Sequence, residues 1–178
     1  MVRWSRDGQQ QANSTDPWLH AVVAVAPTVE SVLRITGVTG GGYRSDMAID
    51  AIQMIGSSGD NVSRSNDTWR PYTFSAPWRQ SQSGRTPSAN TGPDAVYNSS
   101  NGNGTLQRSY LYTEASSNFG AEGTIDFDQP LAAGSVWTLQ FWYHMYGADM
   151  GVLSVELGRA TTPNAWCVQD TTSIYVIA

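Results

Sequence analysis

A hydrolase needs a nucleophile with a base and an orienting group, or a pair of acids. The chain offers two histidines, His20 and His144, and four glutamates, Glu30, Glu114, Glu122 and Glu156. The glutamates are scattered, and none falls into the E-x-D-x-E strand pattern of sandwich-fold glycoside hydrolases. Ser57-Ser58 lies in a Gly/Ser run without a motif around it. Gly40-Gly41-Gly42 is a loop, not G-x-G-x-x-G, and there is neither a P-loop nor a metal-binding histidine pair. His144 alternates within a strand-like run beside Tyr143, which suits a packed or hydrogen-bonded side chain better than a base. The expectation is a protein that is not an enzyme.

Oxygen ligands and flat rings are the other chemistry available. Asp46 and Asp50 sit four apart, a carboxylate type suited to a hard cation, but no EF-hand spacing accompanies them. As residues alone they read equally as solvated turn aspartates. Trp69, Tyr72, Trp78 and Trp166 are candidate surface aromatics, and Trp78 is followed by Arg79-Gln80. A ring beside polar side chains is a sugar platform; core or interface packing is the alternative. Asn13, Asn61, Asn66, Asn98 and Asn103 fit the N-x-S/T pattern, which a chain this rich in Asn and Ser matches by composition.

These residues hang on strands. Residues 139–157, LQFWYHMYGADMGVLSVEL, read as two strands joined by the turn GADMG. Leu139, Phe141, Tyr143 and Met145 alternate with Gln140, Trp142, His144 and Tyr146. Large groups on both faces predict a central strand covered from both sides. Further strands are expected at 19–26, 29–38, 107–115 and 122–128, with another at the tail 171–178. Residues 46–55 fit a strand by alternation and a helix by composition. Residues 56–68 are a Gly/Ser/Asn linker, and 79–103 is a long polar stretch of functional-loop length.

Composition agrees. Hydrophobic residues make up 40%, charged residues 14%, with 17 Gly and 8 Pro, the profile of an all-β chain of one-domain length. The single cysteine, Cys167, excludes an intrachain disulfide; it reads as a small hydrophobe or as an intermolecular bridge. The net charge is −5, every basic residue is Arg, and no basic cluster exists, which argues against a nucleic-acid partner. No apolar run has membrane-span length, so no membrane insertion is expected. No secretory signal opens the chain.

FWYHMYGADMGVLSV resembles the most recognisable segment of MAM domains, the extracellular jelly-roll modules of meprins, neuropilins and receptor tyrosine phosphatases. TPSANTGPDAVYN (86–98) and SYLYTEAS (109–116) resemble the family's N-terminal half, while WSRDGQQ, WLHAVVAV and ITGVTGGGYRSDMAIDAIQM resemble its C-terminal half. The resemblance implies a two-sheet antiparallel β-sandwich of jelly-roll type, a strand at 46–55, and a permuted strand order. Residues 1–55 correspond to the family's C-terminal half, 56–68 link, and 69–178 correspond to its N-terminal half. A circular permutant, a window from a tandem array and halves exchanged between subunits all fit that order. A length of one domain favours the permuted or exchanged forms, one sandwich in all. The resemblance also implies a structural calcium ion near the family's natural termini, with Asp50, Asp94, Asp67 and Asp46 in its neighbourhood. AVY at 95–97 departs from the family's polar residues there, and the near absence of cysteine departs from its animal members. The function implied is a surface-displayed adhesion or interaction module on a cell or virion, acting by contact with a protein partner or by self-association. A carbohydrate-binding module using Trp78, Trp69 and Tyr72 is the alternative.

Overall fold

Alternating and β-branched runs give eleven strands among the described residues of the computed structural model. It describes residues 1–56, 72–81, 84–97, 109–160 and 166–167, the last two by backbone alone. Asp67, Trp69, the body of the 56–68 linker, the side chains of Trp166 and Cys167, and the 171–178 tail lie outside the described residues. The strands are β1 (Val2–Asp7), β2 (Leu19–Val25), β3 (Ser31–Val38), β4 (Ala48–Gly56), β5 (Tyr72–Phe74) and β6 (Trp78–Gln80). They continue with β7 (Leu111–Thr113), β8 (Glu122–Phe127), β9 (Trp137–His144), β10 (Val152–Ala160) and β11 (Trp166–Cys167).

The strands form two antiparallel sheets, so the expected all-β sandwich is what the chain adopts. Sheet A runs β1-β10-β3-β8-β5, with β11 also on β10, and sheet B runs β2-β9-β4-β7-β6. The pairing is nested: β1 with β10, β2 with β9, β3 with β8, β4 with β7. That is one long antiparallel ribbon, and rolling it up adds the β3–β10 and β4–β9 contacts. A ribbon wound in this way is a jelly roll. Every strand of residues 1–56 therefore pairs with a strand of residues 109–160.

Between the sheets lie the inward faces of the alternating strands. Phe141 and Leu139 of β9, Ile35 of β3, Ile125 of β8 and Leu153 and Val155 of β10 are fully enclosed. The ambiguous segment at 46–55 resolves as strand, because Ile49 and Met54 enter this core and β9 pairs along it. The expected strand at 107–115 is shorter, Leu111–Thr113, its partner β6 having three residues.

Trp78 belongs to this core. It is 2% exposed, and its indole N–H donates to the Gly123 carbonyl at 2.9 Å. Gly37 and Gly123 face each other in the β3–β8 register. A Cβ on Gly37 would sit 2.7 Å from Trp78 Cζ2, and one on Gly123 2.8 Å from Trp78 Cδ1. Two paired glycines thus make the slot that one ring fills. The sugar-platform reading of Trp78 is corrected here: a ring with no solvent-facing side presents nothing to a ligand. Tyr72 is half-buried beside Phe127, centroids 6.3 Å apart, and packs on the core rather than standing clear of it.

Truncating Trp78 to Ala should lower unfolding free energy by about 3–5 kcal/mol in chemical denaturation. Trp78→Phe should lower it by about 1–3 kcal/mol, since it leaves the buried Gly123 carbonyl without its donor.

Candidate functional site

The outer face of sheet B is covered by chain that the inner core does not require. Residues 84–97 cross it and are tied down at several points. Asp46 N–H donates to Thr91 Oγ1 at 2.9 Å, and Gly92 N–H to the Tyr146 carbonyl at 2.9 Å. Asp94 N–H donates to the Ser14 carbonyl at 3.0 Å, and Ser14 Oγ donates back to Asp94 Oδ2 at 2.8 Å. The Trp18 indole donates to the Ala95 carbonyl at 3.1 Å. Beneath this crossing, Ala48, Tyr110 and Tyr112 form a second small core with Trp18 and Val96 against it. The long polar stretch at 79–103 thus starts as the end of β6 and, over residues 84–97, is a lid seated on the sheet.

Aromatic rings stand along the edge of this lid. Trp142 of β9 is sandwiched between His20 of β2, at 4.6 Å and 17°, and Tyr97 of the lid, at 4.1 Å and 15°. Trp142 and Tyr97 are half-buried and His20 is exposed, so the stack shows part of its surface to solvent. Trp142 and Tyr97 were not among the aromatics singled out from sequence. Trp142 could have been found, because it is the outward-facing ring of a strand whose inward positions are already apolar.

The same face holds buried ionisable groups. Asp46 is fully enclosed; its Oδ1 accepts from Ala115 N–H at 2.9 Å, while Oδ2 makes no hydrogen bond of normal geometry. Desolvation raises its pKa from 3.8 to about 6, against the pull of Ala115 N–H and of the Thr86 and Ser88 hydroxyls, with nearby Glu114 adding to the rise. Asp50 lies in β4 opposite Trp142, where the register shifts between Asp50 and Gln53. Its Oδ1 accepts from Ala51 N–H at 2.7 Å, and Oδ2 is a second buried oxygen that makes no hydrogen bond of normal geometry among the described residues. Burial raises this carboxyl too, to about 6, with the N–H groups of Ala51 and Tyr97 opposing. Ala51 holds a left-handed φ of 50°, a conformation that is strained for a residue with a Cβ. Bulges of this kind aim side chains at functional sites.

His144 is fully enclosed and neither ring nitrogen makes a hydrogen bond of normal geometry. Desolvation lowers its pKa from 6.5 to about 4, outweighing the backbone and carboxylate of Asp16 and the more distant Asp94. Enclosure thus keeps the imidazole neutral, and among the described residues no nucleophile is bonded to it.

The expected cation ligands are therefore placed as follows. Asp46 lies under Thr91 and Ala115, Asp50 sits at the β4 bulge, and Asp94 is exposed and bonded to Ser14. Among the described residues no three His, Cys, Asp or Glu side chains gather as a metal cluster. The orphan oxygens of Asp46 and Asp50 fit a cation in charge and ligand type, but each brings one carboxylate only.

Comparison with known proteins gives a partial likeness. Over 87 residues, 47% of the chain, the sequence is 36% identical to Neuropilin-1a of Danio rerio, and the match spans 8% of that protein. No family model matches the sequence, and no solved structure matches it. The likeness and the two-sheet fold agree on a β domain similar in part to a neuropilin segment.

The titrations oppose one another. An aspartate with a raised pKa weakens the fold once ionised, so stability returns as pH falls through 6 toward 3.8. A histidine with a lowered pKa strengthens the fold above 6.5, and that contribution is lost as pH falls toward 4. Each full shift corresponds to about 3 kcal/mol. Between pH 7 and pH 5 the unfolding free energy of the native chain should therefore change by only about 1 kcal/mol. His144→Phe should gain stability over that interval and Asp50→Asn should not, as denaturant titrations at the two pH values will show. Ala51→Gly should raise stability by about 0.5–1 kcal/mol at either pH, by relieving the left-handed Cβ.

Proposed function

We propose that this chain is a non-catalytic interaction module, displayed on the outside of a cell or on a virion, that works by protein–protein contact. The observation that carries the reading is the outer face of sheet B. Structure is invested there in a seated lid and a part-exposed stack of His20, Trp142 and Tyr97, and among the described residues it holds no nucleophile–base pair. Rigid Trp and Tyr rings with exposed edges are the side chains enriched in protein interfaces. The partial likeness to neuropilin-1a and the MAM-like segment order support an extracellular setting. In this reading residues 56–68 close the family's natural ends within one permuted sandwich.

A calcium ion beside Asp50 is part of the proposal. It would supply the positive charge that the Asp50 Oδ2 oxygen lacks and would hold the lid near Tyr97 to the bulge. Calcium should then raise the melting temperature at neutral pH, EDTA should reverse the rise, and Asp50→Asn should abolish it. A melting temperature indifferent to calcium removes the ion from the account.

The functional reading is tested by multimerising the chain on fluorescent beads and measuring attachment to intact cells, before and after trypsin shaving of surface proteins. Attachment should be trypsin-sensitive and should fall on Trp142→Ala or Tyr97→Ala, with a glycan array blank. Trypsin-resistant attachment competed by a sugar would move the protein to the carbohydrate-binding class, and turnover on an ester or glycoside panel would make it an enzyme.

A further inference from the structure

A sheet edge is a row of unpaired backbone N–H and C=O groups, and folded proteins guard such edges against other chains. Of the four strands that end the two main strand orders, three carry a guard. β1 has Arg3, Arg6 and Asp7, and its register shifts between Val2 and Trp4. β5 and β6 are three residues long, and β6 carries Arg79. β2 has none of these features. Its seven residues, LHAVVAV, hold no Asp, Glu, Lys, Arg or Pro. It pairs with β9 in unbroken register from Leu19↔Tyr143 to Val25↔Trp137. Among the described residues it has a strand on one side only. Leu19 is 37% exposed and Val22 is 39% exposed.

We infer that β2 is a self-association edge, to which β2 of a second copy adds antiparallel so that sheet B runs through both molecules. This rests on the reading of the chain as a protein-contact module and names the partner as a copy of itself. The strand is complementary to its own reverse. Residues opposite one another in an antiparallel pair share a face. A two-fold axis through Val22 therefore sets Val22 against Val22, Ala21 against Val23, His20 against Ala24 and Leu19 against Val25. Exposed Leu19 then meets an apolar neighbour on the inward side, and exposed Val22 is covered by its twin on the outward side. No like charges meet, because the nearest charged residues in sequence are Asp16 and Glu30, beyond both ends of the strand. Such a pairing is isologous and closes at two copies, consuming the open edge of both.

Light scattering across a dilution series tests this. Mass should rise from 19.3 kDa toward a dimer with concentration and go no further. Val22→Lys should weaken association by at least about tenfold while the far-ultraviolet spectrum and melting curve stay native. Val2→Lys, the same charge on 53% exposed Val2 of β1, should leave association unchanged. A second variant reports the contact directly: in a Cys167→Ser background, Val22→Cys should oxidise to a disulfide-linked dimer and Val2→Cys should not. A chain that stays monomeric at every concentration, grows without limit, or dimerises equally well as Val22→Lys overturns the inference. A monomer that still attaches to cells in a trypsin-sensitive way overturns it while leaving the functional reading standing; a β2 dimer whose attachment survives trypsin does the reverse.

Discussion

The constraint from which the rest follows is that β9 must be buried on both faces. Its inward residues Leu139, Phe141 and Tyr143 are matched by sheet A, which supplies Leu33, Ile35, Ile125, Leu153 and Val155. Its outward residues Trp142 and His144 are as large, and a sandwich has no third sheet for them. Leaving them in water would forgo about 1.5–3 kcal/mol for each large apolar group. The chain meets the demand with loops instead: residues 84–97 and the segment before β2 close over the sheet and carry Trp18, Val96 and Tyr97 into contact. The candidate site is therefore not an addition to the fold. It is the material that completes the burial of the central strand.

That origin explains the electrostatics. Loops that exclude water from Trp142 also exclude it from Asp46, Asp50 and His144, which share the face. Hydrogen bonds answer one oxygen of each aspartate and leave the other without a partner of normal geometry. Selection for stability alone would favour amides or apolar residues at such positions, since an enclosed carboxylate without a counter-charge destabilises. Keeping two acids there, one beside a strained alanine, points to a task at the lid that the core does not have. The half-buried ion pair of Arg44 with Asp149 has no comparable consequence, because each charge there has its counter-charge and part of its hydration.

How much of this was legible in the sequence depends on range. Period-2 alternation marked β9, β8 and β3, a β-branched and small apolar run marked β2, and the double-sided bulk of 139–146 announced that β9 would be central. The MAM-like order of segments pointed to the sandwich class. What the sequence withheld were facts that arise only across the fold. Trp78 looked like a free ring because Arg79 and Gln80 follow it; the slot that buries it is built by Gly37 and Gly123, remote in sequence and paired only after β3 and β8 meet. Asp46 and Asp50 read alike as turn aspartates, whereas the fold encloses both and places Asp94 in the open with Ser14. The Trp142 stack was out of reach for the same reason, since its partners come from β2 and the lid.

Hydrogen exchange, followed amide by amide, tests the account most directly. If the lid completes the burial of β9, the amides of Asp46, Gly92 and Asp94 that anchor it exchange in the same slow class as the central residues of β9, and open with them. If those lid amides exchange as fast as a free loop while β9 stays protected, the outer face is bare in solution, and the site described here is not built.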